Sequence, residues 1–242
     1  MNQFFYEIFE QMPRQGPGKS EYTQKALSFC QLPKNPQILD IGCGTGAQTI
    51  SLTESTDGVI TAVDYHKPFL DQLQKEVKHR SLDSRIKTLH ADMNQLELKR
   101  KFDLIWIEGA IFIIGFEKGL NEFKKFLKPG GFMALTEVAW IKENPPPEAV
   151  SFWDNEYPDI KDISSNIDII RNAGYKLIHH FVMPRDAWDE FYSELKVITN
   201  KIKKKYKDNP EAKKTLDMFS QEIEAYEQFG EFYGYVFYIL KN

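Results

Sequence analysis

The chain has 242 residues and a net charge of −4, with 42% hydrophobic and 27% charged residues, enough to bury the core of one α/β domain. Mixed charge argues against a nucleic-acid groove, whose footprint is a basic patch on a basic domain. The longest apolar run, Ala110 to Ile114, is far too short to span a membrane. The stretch Met1 to Glu10 carries Glu7 and Glu10 and does not read as a signal peptide. Cys30 and Cys43 are lone cysteines without metal spacing, which suits a reducing cytoplasm.

Phe4, Phe5, Ile8 and Phe9 fall on one side of a short helix over residues 3–10. Arg14-Gln15-Gly16-Pro17-Gly18 then interrupts the chain before a second helix, about Glu21 to Gln31, with Tyr22, Ala26, Phe29 and Cys30 on one face. The first strand, Gln37 to Ile41 with Asp40 near its end, breaks into Gly42-Cys43-Gly44-Thr45-Gly46, and a helix from Ala47 to Glu54 follows. Strand, glycine turn and helix bring bare backbone and free N–H groups up to a nucleotide-like ligand. Eighteen residues past Gly46, the run Val59 to Val63 ends in Asp64, where a carboxylate can accept hydrogen bonds from ribose hydroxyls. Gly42, Gly44 and Ala47 also fit the dinucleotide fingerprint, so NAD remains a second ligand at this point.

Pro68 opens a helix running to about Arg80, with Phe69, Leu73 and Val77 inward. Ile86 to His90 is a third strand, followed by Ala91-Asp92-Met93, where Asp92 would also serve as a helix N-cap. Phe102 to Ile107 is a fourth strand, ending at Glu108-Gly109-Ala110. A helix bearing Phe116, Leu120, Phe123 and Leu127 leads to the turn Lys128-Pro129-Gly130-Gly131 and a fifth strand, Phe132 to Val138.

The segment Leu39-Asp40-Ile41-Gly42-Cys43-Gly44-Thr45-Gly46, with Asp64, Ala91-Asp92-Met93 and Lys128-Pro129-Gly130-Gly131 in order behind it, resembles the class I S-adenosylmethionine-dependent methyltransferases. The Arg-Gln-Gly-Pro-Gly preface is similar to that of a group of small bacterial members whose N-terminal helices cover the cofactor. The resemblance implies a doubly wound, mostly parallel α/β sheet of seven strands with the last antiparallel, an N-terminal helical lid and a helical cap. It implies S-adenosylmethionine as cofactor, held by Asp40, Gly42, Gly44, Gly46, Asp64, Tyr65, Asp92 and Met93. Arg14 and Gly16 belong to the lid, with Arg14 facing the methionine carboxylate. A nicotinamide oxidoreductase, the runner-up, accounts for neither Asp92-Met93 nor the Pro-Gly-Gly turn. A non-catalytic adenosyl-cofactor-binding protein is the other alternative.

The residues after strand four face the transferred methyl group in this family. Here they are Glu108-Gly109-Ala110-Ile111, not the Asn/Asp-Pro-Pro-aromatic cluster of amino-methylating enzymes that act on DNA bases or protein glutamine. No cysteine nucleophile stands there for cytosine-carbon methylation either. The expected acceptor is therefore a small molecule. If a base is used, Glu108 comes first, ahead of His66 and Glu137; Glu108 could equally hold the cofactor's amino group. Phe112, Trp140, Trp153 and Tyr157 are aromatics that could stack on a flat acceptor or cage an amine.

Beyond residue 140 the chain loosens, up to a helix capped by Ser164 or Ser165 and stopped by Gly174, and a sixth strand, Tyr175 to Met183. Two long amphipathic helices follow, carrying Trp188, Phe191, Tyr192, Leu195 and Ile202, then Leu216, Phe219, Ile223 and Tyr226. Tyr233 to Leu240 is the seventh strand. The lysines from Lys201 to Lys207 read as a solvated face, and adjacent His179 and His180 point to opposite faces of a strand, with no metal site. The expected organisation is a single methyltransferase domain over 1–242: lid helices in 1–35, a cofactor core in 36–140, cap elements in 141–165 and 185–231, and final strands at 175–183 and 233–240. The protein is expected to be a monomer or homodimer, with no membrane partner.

Overall fold

The computed structural model describes residues 2–242. Apolar runs of five or six residues form four parallel strands: β1 (Gln37–Ile41), β2 (Val59–Asp64), β3 (Ile86–His90) and β4 (Phe102–Ile107). The long β5 (Leu127–Trp140) continues the sheet. The antiparallel neighbours β7 (Lys176–Val182) and β8 (Tyr233–Lys241) complete it in the order β3-β2-β1-β4-β5-β8-β7, with β8 antiparallel to both β5 and β7. This is the doubly wound sheet expected, with one addition. A two-residue strand, β6 (Lys161–Asp162), pairs with the end of β5.

Strands buried on both faces need helices on both sides. One face is covered by α2 (Ser20–Leu27), α3 (Ala47–Ser55) and α4 (Lys67–His79): Ala26 and Leu52 pack with Ile38, Ile60 and Leu104, and Leu73 packs with Ala62 and Ile86. The other face is covered by α5 (Phe116–Lys124) and α7 (Ile163–Asn172), which set Leu120, Phe123 and Ile170 against Leu39, Ile105 and Leu135. Chain order reverses between β1 and β4. The two crossover helices there leave on opposite faces, so a crevice opens at the carboxyl ends of the strands.

A third layer lies over those ends. The helices α8 (Arg185–Lys205) and α9 (Pro210–Phe229) share an aromatic cluster of Trp188, Tyr192, Phe219 and Tyr226. The N-terminal helix α1 (Gln3–Phe9) buries Phe4 and Ile8 in contact with both. Its Glu7 accepts from Lys205 and Tyr206, and Lys201 donates to Gln11. The lysine run is exposed, as read, and two of its members, Lys201 and Lys205, also reach Gln11 and Glu7 across the surface.

Several boundaries differ from the sequence reading. β5 passes straight through Pro129-Gly130-Gly131, with a register shift against β4 between Phe102 and Leu104. Gly130, at φ +74°, takes the left-handed step that residues with a Cβ rarely adopt. Pro147–Glu156 is a helix, α6, where the aromatic stretch had looked irregular. The N-cap of α7 is Asp162, which accepts from the Ser165 amide; neither serine is the cap.

Candidate active site

The crevice holds a cavity of about 540 Å³, within the range of small-molecule sites. Its floor is Ile41, Gly42, Gly44, Val63 and Asp64, and one wall is Ala91 to Asn94. Gly109, Ala110, Phe112 and Ile113 form a second wall, and the roof is Phe5, Tyr6, Phe9 and Gln15 from the N-terminal segment. The glycines are dictated by space as well as by backbone angle. A Cβ on Gly42 (φ +73°) would meet the Ala110 Cβ at 2.4 Å, and one on Gly44 (φ +54°) would meet Gln15 Oε1 at 2.3 Å. Either side chain would fill the cradle. Gly46 (φ +91°) lies outside the cavity, and its missing Cβ makes room for Leu73 of α4.

Asp64 organises the floor. Its two carboxylate oxygens accept the amides of Gly44 and His66, each at 2.8 Å. Burial pushes its pKa up, and the His66 and Gly44 amides pull against that shift. Asp40 acts differently from expectation. It is fully buried away from the cavity, accepts from Thr49 Oγ1 at 2.5 Å, and takes a longer contact from Gln48 at 3.4 Å. Asp40 therefore anchors α3, its pKa raised to about 7 by burial, and the carboxylate that ties down the glycine turn is Asp64. Asp92 accepts from the Asn94 amide at 2.9 Å and caps the helical turn Met93–Gln95 while lining the cavity wall. Tyr65 is exposed at the rim.

The N-terminal segment is fastened over the crevice at two points. Gln15 donates to the carbonyls of Phe9 and Met12, and its Oε1 accepts the Thr45 amide at 2.8 Å and the Thr45 hydroxyl at 3.0 Å. Arg14 Nη1 pairs with Glu108 Oε1 at 2.8 Å, while Glu108 Oε2 accepts from Thr23 Oγ1 and Trp106 Nε1, each at 3.0 Å. Glu108 is buried, and all these donors converge on it. Neither Arg14 nor Glu108 lines the cavity; Arg14 and Gly16 border a smaller neighbouring groove of about 290 Å³.

The sequence reading missed Gln15 and placed Phe4, Phe5, Ile8 and Phe9 on a single side of the first helix. Phe4 and Ile8 point into the core, whereas Phe5 and Phe9, also four residues apart, face the cavity. Two such pairs side by side make a short helix apolar on two faces, a signal present in the sequence. His66 lies 2.7 Å from Glu10 and stacks on Tyr6, so it too contacts the N-terminal segment. Of the expected aromatics, Phe112 lines the cavity. Tyr157 packs edge-on against the Phe112 ring at 6.2 Å. Trp140 and Trp153 lie one layer away, each edge-on to Tyr233. No cluster of His, Cys, Asp and Glu among the described residues has the arrangement of a metal site.

Fold and site together define a doubly wound nucleotide-type binding domain whose crevice carries two acidic groups, Asp64 and Asp92. The chain matches, over residues 38–131, the family model described as a methyltransferase domain. It is 25% identical over 182 residues to phosphoethanolamine N-methyltransferase 3 of Arabidopsis thaliana, which covers 74% of this chain and 36% of that protein. It is 25% identical over 184 residues to sterol 24-C-methyltransferase erg-4 of Neurospora crassa, covering 69% and 48% respectively. The chain thus spans under half the length of these curated relatives. In fold it is similar to an S-adenosylmethionine-dependent methyltransferase of Geobacter sulfurreducens solved with S-adenosyl-L-homocysteine. That likeness has a TM-score of 0.88 and 18% identity over 99% of this chain and 98% of the other.

Proposed function

We propose that this protein transfers a methyl group from S-adenosylmethionine to a small-molecule acceptor. The observation that carries the proposal is the roofed cavity at the switch point of the sheet, with Gly42 and Gly44 bare beneath it and Asp64 and Asp92 on its walls. When bound, the cofactor supplies a methyl group on a sulfonium, an electrophile that needs no acid to activate it. The protein's work is then to position groups and exclude water. Asp64 has lone pairs left after accepting two amides and is the group for the ribose hydroxyls. Asp92 and Met93 form the wall for the adenine, and Phe112 the rim nearest the acceptor.

The N-terminal segment is proposed as a lid whose two clasps, Gln15 on Thr45 and Arg14 on Glu108, hold Phe5 and Phe9 over the cavity. Glu108 in this reading is the lid's anchor. Its oxygens already accept from an arginine, a threonine and a tryptophan, which leaves it poorly placed to take a proton from an acceptor. The relatives named above act on an amine, in phosphoethanolamine, and on a sterol carbon, which leaves the acceptor atom of this chain to be measured.

The test is transfer of labelled methyl from S-adenosylmethionine to a panel of small amines, thiols and phenols, with wild type beside Phe112→Ala. Label should appear in one chemical class and fall about tenfold or more in the variant, the effect expected of a displaced near-attack geometry. Transfer to none of the classes contradicts the proposal.

A further inference from the structure

Of the polar side chains that line the proposed cofactor cavity, the carboxylates of Asp64 and Asp92 accept hydrogen bonds, and the others can donate. Most of those donors are already engaged. Gln15 Nε2 is spent on the carbonyls of Phe9 and Met12. Asn94 Nδ2 turns to Asp92 Oδ1 at 3.1 Å, and His66 Nε2 lies 2.7 Å from Glu10 Oε1. Tyr65 stands 65% exposed at the rim. That leaves Tyr6 in the roof, half-buried, whose hydroxyl has no hydrogen-bond partner among the described residues.

The ring of Tyr6 is held firmly even though its hydroxyl is free. It stacks on His66 with centroids 4.0 Å and planes 10° apart, and Phe69 stands edge-on to both rings. Tyr6 lies within α1 and Glu10 is its C-cap, four residues on, so the two share one face of the helix end and grip His66 together. Gln72 Nε2 ties down the Glu10 carbonyl at 3.0 Å. His66 in turn gives its amide to Asp64 at 2.8 Å. The carboxylate in the floor and the tyrosine in the roof are thus fixed to the same residue, and both line the cavity.

A ribose matches this pair of groups. Each of its hydroxyls has one proton to give and an oxygen that can accept. Asp64 takes protons and leaves the oxygens unserved, so a donor is needed beside it. Burial, with the charges of Tyr65 and Asp64 adding to it, pushes the Tyr6 pKa above its ordinary value. The Tyr6 hydroxyl therefore keeps its proton and stays a donor.

Resting on the function proposed above, we propose that Tyr6 donates a hydrogen bond to a ribose oxygen of S-adenosylmethionine whose own proton Asp64 accepts, which makes the lid a direct part of the cofactor site.

Phe5 and Phe9 cover the cavity with apolar area that has no direction, and Tyr6 adds a directed contact that tells a ribose from a deoxyribose. The contact also joins two equilibria. A ligand that bonds Tyr6 favours the state in which α1 lies over the crevice, by as much as it prefers that state to the open one. A ligand without that hydroxyl still fits the cavity and holds the lid less firmly.

The test is calorimetric titration of wild type and Tyr6→Phe with S-adenosylhomocysteine and with its 2′-deoxy and 3′-deoxy analogues. Tyr6→Phe removes one oxygen and keeps the ring that stacks on His66, and melting curves of the unliganded proteins check that the fold is unchanged. The variant should bind S-adenosylhomocysteine about three- to tenfold more weakly, the range of one net hydrogen bond. At least one deoxy analogue should bind both proteins equally, because the oxygen that Tyr6 reaches is missing from it. Unchanged S-adenosylhomocysteine binding in the variant would overturn the contact. So would an equal loss for all three ligands, which assigns Tyr6 only to holding the lid. Either result, beside firm S-adenosylhomocysteine binding by wild type, leaves the methyltransferase reading standing. A wild type that binds none of the three ligands would overturn both.

Discussion

Asp64→Ala is expected to weaken S-adenosylhomocysteine binding by about 100- to 1,000-fold while the protein stays folded. The carboxylate holds the amides of Gly44 and His66 at 2.8 Å and is the proposed partner of two ribose hydroxyls. Hydrogen bonds to a charged group contribute about 1.5–3 kcal/mol each, so two of them account for a loss of that size. Stability should move little. Burial raises the pKa of Asp64 in spite of its amide partners, so the charged form costs the fold more than it returns. Titration calorimetry with a parallel melting curve separates the two effects. A variant that binds like wild type would show that the ribose contact lies elsewhere.

Arg14→Ala is expected to open the lid. Its guanidinium is the only cation paired with Glu108 among the described residues, and the Glu108 side chain is 2% exposed. Leaving a buried carboxylate without its cation costs about 3–5 kcal/mol, here moderated because Thr23 and Trp106 still donate. A loss of about 2–3 kcal/mol corresponds to roughly 4–12 °C in melting temperature for a chain of this size. Limited proteolysis should cut the released segment near Arg14 before the rest of the chain. Glu108→Gln in the Arg14→Ala background should recover much of the loss, because no charge is then left unpaired.

The same variant distinguishes two roles for Arg14. If Arg14 reaches the carboxylate of the cofactor, its removal weakens S-adenosylhomocysteine and spares methylthioadenosine, which lacks the amino-acid end. If Arg14 acts by holding the lid to Glu108, both ligands weaken together. The ion pair at 2.8 Å favours the second outcome.

The sheet was legible because its strands obey local rules. Apolar runs bounded by glycines and acids announce β1 to β4, and only a right-handed crossover can connect parallel neighbours. The glycine turn was legible for the same reason, since a backbone that carries no Cβ announces that something must approach it. Contacts that cross long stretches of sequence were not legible. Arg14 to Glu108, Gln15 to Thr45 and Lys205 to Glu7 join residues 94, 30 and 198 positions apart, and no local pattern encodes such pairs. Asp40 and Asp64 show the limit within one motif. Both are carboxylates at or next to a strand end, and packing buries the first against Thr49 and leaves the second at the cavity. Glu137 reads as an ordinary strand residue, and only the three-dimensional surroundings show it to be a buried acid whose pKa burial pushes up to about 8.

The measurement that tests the central claim most directly is calorimetric titration of the wild-type protein with S-adenosylhomocysteine and, separately, with NAD. The account predicts saturable one-to-one binding of S-adenosylhomocysteine and no binding of NAD. Binding of NAD with none of S-adenosylhomocysteine would contradict it and make the crevice a nicotinamide site.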